Sequence, residues 1–555
     1  MLARDYKIRV FIIMICFFFL FTIIAIRLFL IQIRQEAFFE ILARQQHELE
    51  ITLTPRRATI YDASGKVPLA FNREIPSAFL IPQQLVEEAK TMRFLKKNYP
   101  EVYERLKQNP DKQFLWLDRK LPPQKYAQLE QRGLKDVHFI NEYQRFYPLA
   151  ATSQLIGFTD IDNKGTAGIE LAFSNQLGGQ PAKVRFERDA RSGIFYFDKA
   201  IQKRGQRGLP LALTVDATLQ SIAYYELKRA VDDLHAQGGS VIILDPHTGS
   251  IMAMTNYPTF DPNQKSVPSL EMMKNSCVSE CYELGSVMKA FCALAALEEK
   301  AVSYDELIDC EGRFGYVNGV RVENPTISLL KKLEENNNTL PFCDVIKYSS
   351  NVGIAKVAQR LGPKLYDHLR RLGFGSKTNI QFPGERSGFV NPPDRWSKPS
   401  LVVMSFGYEL MATLLQLGKA FCIVANGGKD IQPTLLTTPQ QSTPKKLYSD
   451  GALKELQRML ERVCERCQIP GFRIMGKTGT VRCIKDGRYS ASRHNYTFAG
   501  IVEKNNYHRV VVTFIREPQE TKTVWASEIA LPLFKVIAQR MIVHDRVHNT
   551  KRYTI

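Results

Sequence analysis

Residues 10–26 read VFIIMICFFFLFTIIAI and carry no charged side chain. After Arg27 the apolar run resumes as LFLIQI and closes at Ile33, so residues 10–33 form one hydrophobic stretch. A helix of that length crosses a hydrocarbon core of roughly 30 Å if Arg27 snorkels outward. A cleaved signal peptide competes with this reading, but the run is long and no clear A-x-A site follows it. Arg4, Lys7 and Arg9 precede the span against Asp5 alone. The positive-inside rule therefore places residues 1–9 in the cytoplasm and exports everything after residue 33. This decides how the charge is read. In a cytosolic protein a formal net charge of +19 would point to nucleic acid. An exported chain meets anionic membrane surface or wall polymer instead, and there is no zinc-finger spacing, RNP-like motif or Gly-rich phosphate loop to argue otherwise.

The 555 residues exceed one ordinary core, and 44% hydrophobic with 24% charged is the composition of a folded chain without repeats. Residues 34 to about 50 are helical in pattern and suit a stalk leaving the membrane. ITLTPRRATIYDASGK then reads as a strand, a proline break and a turn, and strand-like and helical pieces mix up to about residue 205. KRGQRGLP at 203–210 has the composition of a domain boundary. Beyond it LALTVD opens as a strand and ATLQSIAYYELKRAVDDLHA has helical periodicity. GGSVIILDPHTGSIMAMTN gives two strands about the turn at 246–249. YTFAGIVE and HRVVVTFIRE alternate as antiparallel strands about residues 504–507, and a helix follows at 526–542. Strands at both ends with helices between predict one sheet assembled from the two ends of an α+β domain.

Ten cysteines in a chain of this size do not make a disulfide scaffold. Cys464 and Cys467 form a CxxC in the helical stretch LKELQRMLERVCERC; incidental thiols and a local disulfide both remain open. Cys277 and Cys281 lie just before Ser286, which is proximity alone. With no second CxxC and no HExxH, neither a metal site nor an organic cofactor is expected.

Between Val287 and Leu297 the one polar side chain is Lys289. Buried ammonium groups are rare unless compensated. Ser286 lies three residues earlier, on the same helical face. Ser-x-x-Lys alone is weak evidence, because Ser328-Leu329-Leu330-Lys331 matches too, in a segment that reads as solvated. Two further motifs follow in order: Ser349-Ser350-Asn351, then Lys477-Thr478-Gly479-Thr480. A serine hydroxyl needs a base near neutral pH, and a lysine is that base only when neutral. Burial favours the neutral form and can bring an amine to about pH 7 to 8.

The ordered set SxxK, SxN and KTG resembles the penicillin-recognising serine transferases, and the anchor with the amino-terminal half resembles a class B penicillin-binding protein. RLFLIQI at 27–33, RFYPLAATSQLIGFTDIDNKGTAGIE at 145–170 and LTVDATLQ are similar to that family. So are GERSGFVNPPDRW at 384–396, SFGYELMATLLQL at 405–417 and DGRYSAS at 486–492. GFTDID and GERSG resemble the septal branch more than the elongation branch. Three positions depart from the pattern: Leu284 where proline is frequent, Arg57 where glycine is usual in an Arg-Gly element, and Val481 where alanine is common.

The resemblance implies a penicillin-binding/β-lactamase-like transpeptidase domain, a central antiparallel sheet flanked by helices, on an elongated α+β pedestal with one transmembrane helix. Its divisions would be a tail at 1–9, the span at 10–33, a pedestal at 34–207, the transpeptidase at 208–545 and a tail at 546–555. It implies Ser286 as nucleophile, Lys289 as base, Ser349 as proton relay, Asn351 holding Lys289 and the substrate amide, and Lys477 as a second cation. Thr478, Gly479 and Thr480 would bind substrate, with the backbone N–H groups of Ser286 and Thr480 as oxyanion donors. Strict strand alternation puts Lys477 and Thr480 on opposite faces. Implied partners are peptidoglycan stem peptides, β-lactams, the membrane, a polytopic glycan polymerase and other division proteins, and no nucleic acid. The competing functions are an elongation transpeptidase, a β-lactamase or β-lactam sensor, and a non-catalytic division scaffold.

Overall fold

The computed structural model describes residues 2–39, 48–53, 56–112, 114–188, 195–203, 206–264, 268–324, 326–437, 443–485, 488–519 and 525–548. The chain forms two compact units, Met1–Arg56 with Gly178–Gly208 and Arg57–Leu177 with Leu209–Ile555. In the first, a helix at Leu2–Phe29 runs into a π-helical turn at Leu30–Arg34, and Tyr6–Arg34 is long and apolar enough to cross a membrane. The same unit holds a three-stranded antiparallel sheet of Glu48–Leu53, Ala182–Arg188 and Phe195–Lys203. This corrects the helical stalk expected to about residue 50. Residues 40–47 lie outside the described ones, and Glu48–Leu53 is extended: ELEITL alternates acidic or polar with apolar residues and pairs residue for residue with Ala182–Glu187.

In the second unit the long strand Pro68–Leu80 pairs with Leu115–Asp118 and His138–Phe146. Through Ile60–Tyr61 it reaches Leu211–Ala212. Arg57 is buried here. Its guanidinium donates to the Glu170 carboxylate and to the Glu170 and Asn163 carbonyls, while Arg145 takes the other Glu170 oxygen at 2.6 Å. A glycine at 57 would strip a fully buried carboxylate of one of its two cations, at a cost of several kcal/mol. Arg57 thus has a structural role in this chain that a glycine could not fill.

The larger sheet has five antiparallel strands: β1 (Gly238–Leu244), β2 (Ile251–Tyr257), β5 (Arg473–Lys485), β6 (Arg488–Lys504) and β7 (Tyr507–Arg516), in the order β2-β1-β7-β6-β5. A short hairpin of β3 (Phe314–Val317) and β4 (Val320–Glu323) stands apart from it. As the sequence predicts, both ends of the domain build the sheet, which leaves β5 on an edge. Alternation sends Ile242, Leu244, Val510 and Val512 into one core and Val241, Ile243, Val511 and Ile515 into the other. The second core is closed by α1 (Ala217–Asp233) and α6 (Ala526–His548), with Leu227, Phe534 and Ile537 facing the strands. The first contains α2 (Lys289–Glu298), buried from Lys289 through Leu297, α4 (Leu414–Ala425), buried throughout, and the Leu453, Leu456 and Leu460 face of α5 (Asp450–Val463). Helices apolar on every side belong in the middle of a domain. All ten cysteines are free thiols, with Cys464 and Cys467 both buried.

Candidate active site

Ser286 lies in a 3-10 turn, Gly285–Met288, that leads directly into α2. Gly285 has φ +56°, and a Cβ there would sit 2.6 Å from Val481 Cγ2 and 2.9 Å from the Thr480 carbonyl. Across the same seam a Cβ on Gly479 would lie 2.4 Å from the Leu284 carbonyl. Two bare backbones thus let edge strand β5 press against the turn that carries Ser286. Ser286 is half-buried, whereas Lys289 and Lys477 are 0% and 1% exposed.

Lys289 Nζ donates to the Ser349 carbonyl at 2.6 Å and to Ser349 Oγ at 3.0 Å, and Lys477 Nζ reaches the same Oγ at 3.1 Å. Burial, and then the charge of Lys477, holds Lys289 well below the ordinary lysine range; burial brings Lys477 down to about 8. A neutral amine has two hydrogens and one lone pair. Ser349 takes both hydrogens of Lys289, so the lone pair remains to accept a proton from Ser286. Among the described residues no hydrogen bond joins Ser286 to Lys289; the lysine is held by Ser349 instead. The cause is backbone: Ser349 has φ +63°, a left-handed conformation costing a non-glycine residue about 1 to 3 kcal/mol, and it turns both serine oxygens toward the lysines.

Asn351 departs from expectation. It begins α3 (Asn351–Leu361), and its amide donates to the Glu323 carbonyl at 2.8 Å rather than holding Lys289. The residue that sequence reasoning missed is Asn324, fully buried, whose Oδ1 accepts from Ser350 Oγ and from the N–H groups of Asn351 and Val352. A single asparagine in VRVENP gives no signal of this. Thr478 offers its carbonyl to Lys477 Nζ at 3.4 Å, and Thr480 Oγ1 accepts the Ala526 N–H at 3.2 Å. Lys477, Gly479 and Val481 face the nucleophile turn while Thr480 faces α6, as alternation requires. Of DGRYSAS, residues 486 and 487 lie outside the described ones. Tyr489 donates to both oxygens of Glu283, three residues before Ser286, and burial raises that carboxyl. By contrast Ser328 and Lys331, the second Ser-x-x-Lys, are both exposed.

The profile of the penicillin binding protein transpeptidase domain matches residues 239–539, and that of the penicillin-binding protein dimerisation domain matches 52–213. The chain belongs to the class B penicillin-binding proteins, of FtsI type. Peptidoglycan D,D-transpeptidase FtsI of Escherichia coli is 31% identical over 443 residues, 78% of this chain and 73% of that one. "Probable peptidoglycan D,D-transpeptidase PbpC" of Pseudomonas aeruginosa is 31% identical over 487 residues, 86% of this chain and 84% of that one. Penicillin-binding protein 3 of Mycobacterium tuberculosis, solved with aztreonam, shares the fold with a TM-score of 0.68 at 24% identity, over 90% of this chain and 98% of that one. In this class B penicillin-binding protein the matched transpeptidase region contains all three motifs of the site.

Proposed function

We propose that Ser286 is the nucleophile of a peptidoglycan D,D-transpeptidase acting in septal wall synthesis. The observation that carries this reading is the chain Lys289–Ser349–Lys477, two buried amines joined through one hydroxyl beside a half-buried serine. Lys289 removes the Ser286 proton as Oγ attacks the D-Ala-D-Ala carbonyl. Ser349 passes a proton toward the departing D-alanine nitrogen, and Lys477 stabilises the negative charge that gathers at the carbonyl. The backbone N–H groups of Ser286 and Thr480 are the oxyanion donors, each worth about 10²- to 10³-fold in rate. Along the open edge of β5, where both are partly exposed, the Thr478 and Thr480 hydroxyls bind the donor carboxylate; Thr480, accepting from Ala526 on the α6 side, keeps its own hydrogen for this. An amine of a neighbouring stem peptide then attacks the acyl-enzyme, forms the cross-link and frees Ser286. β-Lactams acylate the same oxygen.

Residues 1–9 lie in the cytoplasm and the bulk outside, with 34–207 serving as pedestal and 208–545 as catalytic domain. A polytopic glycan polymerase contacts the anchor and pedestal. The test is mass spectrometry of penicillin-treated protein: one adduct on Ser286 in the wild type, none in Ser286→Ala, and slow formation in Lys289→Ala. An adduct surviving Ser286→Ala would overturn the assignment.

A further inference from the structure

Ser349, in the turn before α3, keeps both its oxygens on the lysines only while its backbone stays in the left-handed region, and restraint comes from outside that turn. Ser350 caps α3 by accepting the Gly353 N–H, and then donates its hydroxyl hydrogen to Asn324 Oδ1 at 3.0 Å. The same oxygen accepts the N–H of Asn351 at 3.0 Å and of Val352 at 3.2 Å, the first two donors of α3. At its other end the amide donates to the carbonyls of Cys310 at 3.0 Å and Gly312 at 2.9 Å, and its own backbone N–H to Arg313 at 2.8 Å. Every hydrogen of this fully buried amide is thus used. Its neighbour Glu323, the last residue of β4, holds Asn351 through its carbonyl. The corner after the β3–β4 hairpin therefore grips the residues following Ser349 at four points.

We propose that Asn324 is a positioning residue for proton transfer: it fixes the Ser349–Ser350–Asn351 turn so that one serine hydroxyl bridges Lys289 and Lys477. This rests on the reading of Ser286 as an acylated nucleophile. An aspartate or alanine cannot replace it, since the site needs three acceptances and two donations from one planar group. Loss of the amide lets the Ser349 backbone relax out of its strained conformation, and the relay opens.

The test is a double-mutant cycle on the full chain in detergent, reading the second-order rate of acylation by a fluorescent penicillin. Asn324→Ala is expected to slow acylation about 100-fold, the scale of one positioned proton-transfer group. In a Ser349→Ala background, where the relay hydroxyl is already gone, it is expected to slow it less than about threefold. Equal slowing in both backgrounds, or an Asn324→Ala rate equal to wild type, overturns the proposal, because a merely structural role is indifferent to Ser349. Should Asn324→Ala not yield folded protein, Ser350→Ala, which removes one of the three bonds, enters the same cycle. There a loss of about tenfold that vanishes without Ser349 supports the proposal, and an additive loss overturns it. A wild-type chain that takes no penicillin at Ser286 would refute the functional reading itself, which keeps the two failures apart.

Discussion

Whether Lys289 can act turns on how many hydrogens its nitrogen carries. The two Ser349 oxygens accommodate a neutral amine; a third hydrogen would point into a site without solvent. Lys289→Arg keeps helix propensity but puts a guanidinium that does not deprotonate where the native amine is held neutral. It is expected to slow penicillin acylation by at least about 10²-fold, measured as fluorescent adduct against time, because general-base transfer is typically worth that much. Lys477 gives a different signal. Its value falls from 10.5 to about 8 on burial, so between these limits the unfolded chain holds a proton that the native chain has released. Stability therefore rises with pH across that window, by roughly 3 kcal/mol over its width, and the gain is absent below pH 8, where both states are protonated. Urea midpoints at pH 8 and pH 10 are expected to separate in the wild type by more than in Lys477→Met, which has no such proton to lose.

At the scale of elements, the site exists because an edge strand and a helical turn approach without side chains between them. Gly479→Ala places a methyl 2.4 Å from the Leu284 carbonyl, in backbone that cannot swing aside as a flexible side chain would. The strand must retreat from Ser286. Stability is expected to fall by about 1 to 3 kcal/mol, the usual cost of overpacking, and acylation by more than tenfold, read by denaturation and penicillin labelling of the same sample. Elements of this kind were legible where local pattern and final environment agree. The paired strands β6 and β7 follow from alternation, and α2 follows from its unbroken apolar run, which also isolates Lys289. Residues 51–53 were legible as a strand in ITLTP, but residues 48–50 and the pairing itself were not, because the partner strand lies more than a hundred residues away. Asn324 and the left-handed backbone of Ser349, though not Ser349 as relay, were illegible for the same reason: their partners in the site lie 26 to 128 residues distant, and no local spacing records them.

For the whole molecule, the hydrophobic run and the ordered motifs together bear on where the chemistry takes place. The stretch from Tyr6 to Arg34, with none of its most apolar window buried by protein, is long and apolar enough to cross a membrane. That leaves one choice, which end is exported, and two observations bear on it independently. Arg4, Lys7 and Arg9 lie beside the start of the span, and the positive-inside bias favours the cytoplasmic side for cations in that position. The substrate supplies the second: a transpeptidase must meet stem peptides in the wall, so a catalytic unit held in the cytoplasm would be idle however well Lys289 is poised. Treating intact spheroplasts of an expressing bacterium with an impermeant protease, with tags at both ends, is expected to remove the carboxyl-terminal tag. The amino-terminal tag should survive on a fragment little longer than the span. Survival of the carboxyl-terminal tag until the membrane is permeabilised would reverse the orientation and, with it, deprive Ser286 of its substrate.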